Sequence, residues 1–116
     1  MPKVTIYHNP KCSKSRETLA LLHKHHIEPK IIEYLATPPT VSQLTSLLTQ
    51  LQLKPRELLR RKEPIYKTLG LNNEKISDAK IIAAMAKHPI LIERPIVVCG
   101  KKAVLGRPPE NVLGIL

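Results

Sequence analysis

The chain is nearly devoid of aromatic side chains: it has three tyrosines and neither phenylalanine nor tryptophan among 116 residues. Its core must therefore be built from Leu, Ile, Val and Ala, and few rings are available to stack on unpaired bases. No helix-turn-helix, zinc-finger or RNA-binding pattern is present either, so nucleic acid is not an expected partner. The net charge of +10 still favours anions of some kind. No apolar run approaches the roughly 18 residues that a membrane span requires. The opening Met-Pro-Lys-Val-Thr lacks the apolar stretch of a secretory signal, and a cytoplasmic location away from membranes is expected. Cysteine is scarce as well. Cys12 and Cys99 are the two thiols, too few for a disulfide framework, and each has to be read by itself.

What is present suits one soluble globular domain spanning residues 1–116, with 42% apolar and 24% charged residues. Val4-Thr-Ile-Tyr7 alternates apolar and polar side chains and reads as a strand that Asn9-Pro10 breaks. Ser13 to Ile27 contains neither Gly nor Pro, and Leu19, Leu22 and Ile27 share part of a helical face, with Pro29 as the stop. Lys30 to Leu35 reads as a second strand, which makes a βαβ unit. Thr40 and Gln43 have capping-box spacing ahead of a helix with Leu44, Leu47, Leu48 and Leu51 on one face. A short helix is expected from Pro55 to about Arg61, then a turn closed by Gly70, then a helix from Ser77 to about Lys87. Ile96–Cys99 and Ala103–Leu105 flank a Gly-containing hairpin loop, and Pro108-Pro109 opens a last helix. The order βαβ, helices, ββα describes an α/β domain with a helical insertion at about 40–88.

The segment His8-Asn-Pro-Lys-Cys-Ser-Lys-Ser-Arg16 places Cys12 in a polar, basic stretch that looks hard to bury. A thiol is a useful nucleophile only as thiolate, and helix N-termini and neighbouring cations lower its pKa. Cys12 falls between the first strand and the first helix, where unpaired N–H groups face it. His8, Lys11, Lys14 and Arg16 supply positive charge nearby. A dithiol scheme fails because Ser15 occupies the fourth position of Cys-x-x-Cys, and a cysteine-phosphatase loop needs a longer spacing than Cys12 to Arg16 provides. A lone thiol at an anion-attracting helix end calls for guanidinium forks to grip a tetrahedral oxyanion. Arg56, Arg60, Arg61, Arg94 and Arg107 are the candidates. Arg94 and Arg107 stand out at strand ends, whereas Arg60 reads as part of a solvated helix face.

"YHNPKCSKSRETLALL", "ELLRRKEPIYKTLGL", "HPILIERPIVV" and "GRPPENVL" together resemble the glutaredoxin-coupled arsenate reductases, in a group that also contains the Spx regulators. The resemblance runs over nearly the whole chain. It implies a thioredoxin-like fold and a cis Pro95 beside the thiol. It also implies Cys12 as nucleophile, His8 as the residue that helps depress its pKa, and Arg60, Arg94 and Arg107 as the oxyanion ligands. Asn9, Ser15 and Arg16 are supporting residues. The implied reaction reduces arsenate to arsenite, with glutathione as co-substrate, glutaredoxin as partner and no tightly bound cofactor. The alternatives are an Spx-like regulator that binds RNA polymerase, although Ser15 removes its dithiol switch, and a general glutathione-linked thiol oxidoreductase.

Cys99 lies four residues past Pro95, roughly 13 Å along a strand, and reads as a strand residue remote from Cys12. His23 and His26 share a helix face without the further ligands a metal needs, so no metal is expected.

Overall fold

The structure, a computed structural model, describes residues 3–116. It divides into two compact units, one formed by the chain up to Thr37 together with Arg94–Leu116, the other by Pro38–Glu93. The insertion expected at about 40–88 lies within the second unit.

The first unit holds a four-stranded sheet of order β2-β1-β3-β4, from β1 (Val4–His8), β2 (Lys30–Glu33), β3 (Ile96–Cys99) and β4 (Lys102–Leu105). β1 runs parallel to β2 and antiparallel to β3, and β3 and β4 form the hairpin, whose Gly100 takes a positive φ of 63°. Helix α1 (Ser13–Lys24) connects β1 to β2, and a 3-10 helix over Pro109–Ile115 packs against α1 and β4. Ile6, Leu22, Val97 and Val112 form the fully buried centre, and Leu19, Ile27, Val104 and Ile115 pack around it. Burying such side chains contributes about 1.5–3 kcal/mol each, so this aliphatic cluster replaces the missing aromatics.

Helix α1 ends at Lys24, not at Ile27. His26 enters the left-handed region with φ 62°, its N–H bonds to the His23 carbonyl, and the Ile27 N–H bonds to the Leu22 carbonyl. That is a Schellman closure, and it turns Ile27 back onto the core. Strand β2 likewise stops at Glu33, whose carbonyl accepts from the N–H groups of Ala36 and Thr37 in a turn.

The second unit begins with α2 (Val41–Leu51), on which Thr40 and Gln43 form a complete capping box. α3 (Pro64–Thr68) and α4 (Asp78–Lys87) follow, with the Ser77 side chain capping α4. α2 packs on α4, and Leu44, Leu47, Leu58, Ile81, Met85 and Leu91 are buried. Pro55–Leu58 is a 3-10 helix that ends before Arg60. Leu59 instead forms an antiparallel bridge with Ile92, flanked by Arg60 N–H to the Leu91 carbonyl and Glu93 N–H to the Leu58 carbonyl, both 2.8 Å. A helix through Arg61 would have left those bonds unmade.

Candidate active site

The residues around Cys12 are placed by a tight turn. The Cys12 N–H donates to the Asn9 carbonyl at 3.0 Å, and the Lys11 N–H donates to the Asn9 side-chain oxygen at 3.0 Å. Pro10 and the Asn9 side chain suit this turn, because proline presets φ and asparagine can imitate a backbone turn. The turn swings the chain from β1 straight into α1, with Cys12 as the N-cap in extended conformation. Arg16 Nη1 braces it by donating to the Pro10 carbonyl at 2.9 Å.

Cys12 is buried, with 9% of its surface exposed, although Lys11, Ser13 and Lys14 around it are exposed. Within the basic stretch His8, Cys12 and Ser15 are buried, and Cys12 and Ser15 lie three apart on the inward face of the first turn. Burial pushes the Cys12 thiol up. The Ser15 amide, the Arg94 charge and hydrogen bond, and the Lys14 amide outweigh burial and hold its pKa below the ordinary thiol value. The cation that acts on the thiol is Arg94. Lys14 contributes its N–H, while its ammonium pairs with Glu17 at 3.5 Å on the exposed side.

His8 is buried at the end of β1, with Nδ1 2.6 Å from Ser15 Oγ. The same Oγ accepts from the Asn9 N–H at 3.0 Å. His8 and the Asn9 N–H thus share the Ser15 hydroxyl, which can pair with the neutral ring in either tautomer. Burial holds the His8 pKa below 6.5, Glu33 pulls it up, and Arg16 lowers it further. At neutral pH the ring is uncharged. His8 thus touches the site through Ser15, and the charge expected of it is supplied by Arg94.

Arg94 and Arg107 converge in the first unit. Arg107 Nη1 donates to the Arg94 carbonyl at 3.3 Å, and the Arg94–Pro95 peptide is cis, as is Arg107–Pro108. The Gly106 N–H bonds to the Pro95 carbonyl at 3.0 Å, stitching the segment that carries Arg107 to the one that carries Arg94. Arg60 belongs to the second unit, where Nη2 lies 3.0 Å from Glu63 and Nε 3.7 Å from Glu93. Arg56 is committed to the carbonyls of Leu71 and Asn73 at 2.8 and 2.7 Å.

Cys99 pairs with Val4 and Lys102, while Cys12 follows the opposite end of β1, and both thiols are free. Among the described residues, no group of three or more His, Cys, Asp or Glu side chains could hold a metal ion, and His23 instead faces Glu28 at 3.6 Å. No helix among them is long and apolar enough to cross a membrane. Sequence reasoning missed Thr18 and Gly106, the residues that join α1 to the Arg107 segment. The one available signal was a glycine placed between a strand and a candidate arginine.

This chain is 50% identical over 114 residues to an arsenate reductase of Haemophilus influenzae, covering 97% of this chain and 98% of that protein. It is also 50% identical over 115 residues to YfgD, an uncharacterized protein of Escherichia coli, covering 98% and 97%. An arsenate reductase structure from Vibrio cholerae superposes with a TM-score of 0.97 at 57% identity, covering 99% of this chain and 98% of that one. The fold is thioredoxin-like. With residues 7–115 matching its pattern, the chain belongs to the ArsC family.

Proposed function

We propose that this protein reduces arsenate to arsenite through the Cys12 thiolate, with glutathione as co-substrate and glutaredoxin as the protein reductant. The observation that carries the reading is the Arg94 guanidinium acting on a thiol whose pKa is already lowered by the first amides of α1. A guanidinium beside a thiol of lowered pKa supports a site that ionises its nucleophile and offers a fork of donors to an oxyanion.

In the first step the Cys12 sulfur forms a bond to arsenic and one arsenate oxygen leaves as water. The glutathione thiol then displaces a second oxygen as water. A glutaredoxin thiolate attacks the glutathione sulfur, the As–S electron pair passes to arsenic, and As(V) becomes As(III). Water finally cleaves the Cys12–As bond, which releases arsenite and restores the thiol. Arg94 and Arg107 hold the arsenic oxygens as charge builds on them, and Arg60 is assigned the same work by the family resemblance. Two free thiols suit a reducing cytoplasmic setting.

The test is NADPH oxidation coupled through glutathione reductase, in the presence of arsenate, glutathione and glutaredoxin. The reading predicts turnover that requires every component, with Arg94→Ala and Arg107→Ala each impaired. NADPH oxidation unaffected by withholding arsenate would refute it.

A further inference from the structure

Thr18 is a fully buried polar side chain on α1, six residues past Cys12. Its hydroxyl donates to the Lys14 carbonyl at 2.8 Å, the ordinary bond of a helical threonine, and lies 3.3 Å from the Gly106 carbonyl. Gly106 is buried between two elements and directly precedes Arg107. Its N–H is taken by the Pro95 carbonyl at 3.0 Å. A methyl group on Gly106 would lie 2.5 Å from Thr18 Oγ1 and 2.9 Å from Pro95 Cγ, so a side chain fits only if Thr18 or Pro95 gives way. Three segments meet at this point: the helix whose first amides face the thiol, the strand entry that carries Arg94, and the segment that carries Arg107.

We propose that the Thr18–Gly106 contact is a positioning device that sets Arg107 against Arg94, and hence sets the width of the oxyanion site. The inference rests on the reading of Arg107 as an arsenate ligand. Neither Thr18 nor Gly106 touches the reacting atoms. They act through the guanidinium one residue further on, whose Nη1 bonds to the Arg94 carbonyl. The groups that act on the thiol are the Ser15 and Lys14 amides and Arg94, and neither Thr18 nor Gly106 is among them. Displacing a positioned group by about 1 Å can cost as much as 100-fold in rate. A shift confined to one anion ligand, with the nucleophile intact, should appear first in KM.

The experiment is a double-mutant cycle between Gly106→Ala and Arg107→Ala, read as kcat and KM for arsenate, with the pH profile of Cys12 alkylation measured on each variant. Gly106→Ala is expected to raise KM about tenfold, to leave the alkylation profile unchanged, and to cost nothing further once Arg107 is Ala. If Gly106→Ala fails to fold, Thr18→Val takes its place in the cycle, and Thr18→Ser, which keeps the hydroxyl, should restore the native KM. A glycine or threonine variant that costs as much in the Arg107→Ala background as in the native one would overturn the proposal while leaving the arsenate reading intact. An Arg107→Ala variant with native KM would remove Arg107 from the site, and the positioning proposal with it.

Discussion

At the scale of single residues, the site depends on opposed effects on one sulfur atom. Burial alone would make Cys12 a poor acid, yet two amides and one guanidinium reverse the outcome. Iodoacetamide reactivity against pH should therefore give a Cys12 midpoint below that of an ordinary thiol, and Arg94→Ala should move it up. An unmoved midpoint would take Arg94 out of the ionisation. Arsenate turnover should fall in step as pH drops through that lowered value, because protonation removes the nucleophile. Ser15 has a divided role. Its amide acts on the thiol, while its hydroxyl serves His8 and Asn9. Ser15→Ala should cost about 1–3 kcal/mol in stability by leaving His8 Nδ1 buried without a partner, yet keep the thiol's midpoint low because the amide remains. A midpoint that rises to the free-thiol value would show that the hydroxyl, not the amide, acts on Cys12. For His8 the folded state lowers the pKa, so the unfolded chain binds the extra proton. The stability this neutral ring contributes is complete above about 6.5 and is lost as pH falls through the lowered folded value. Chemical denaturation at stepped pH should show that acid loss flattened in His8→Gln, and equal slopes for the two proteins would contradict it.

At the scale of elements, scarcity of glycine has a visible consequence. The chain holds only four glycines, and three helices end in the same Schellman closure. Gly70 takes the left-handed position after α3, but His26 and Gln52 must take it after α1 and α2, with φ of 62° and 57°. Ile27, Leu53 and Leu71 follow them and bond back to Leu22, Leu48 and Tyr66. Gln52→Gly should therefore stabilise the protein, by roughly 0.5–1 kcal/mol in denaturant melts, since a non-glycine residue in this region carries about 1–2 kcal/mol of strain. A loss of stability would mean that the Gln52 side chain holds more than its backbone conformation costs.

The starts of these elements were legible in sequence for a local reason. Thr40 with Gln43, and Ser77 before α4, satisfy the first turn from within three residues, so spacing alone identifies them. The ends of α1 and the short helix before Arg60 were not, because each is decided by partners far along the chain. Ile27 is pulled onto a core that includes Val97 and Val112, and Leu59 is drawn into a bridge with Ile92. The same division runs through the site. Cys12 at the strand-to-helix junction is a local pattern. That Arg94, and not Lys11 or Arg16, supplies the charge depends on β3 returning antiparallel beside β1.

At the scale of the whole molecule, the anion-seeking character of a chain with net charge +10 narrows to a few groups. Most of its cations are exposed. Inside the first unit one guanidinium reaches the thiol, and a second is tied to that arginine's carbonyl. The two thiols are separated by the length of β1, so the chain has no internal partner for Cys12 and depends on an external reductant. The most direct measurement is arsenate-dependent NADPH oxidation, with glutathione and glutaredoxin, by the native protein, Cys12→Ser and Cys99→Ser. The account predicts that Cys99→Ser turns over as the native protein does and that Cys12→Ser does not turn over at all, while both remain folded. Turnover by Cys12→Ser, or its loss in Cys99→Ser alone, would contradict the claim that Cys12 is the sole nucleophile.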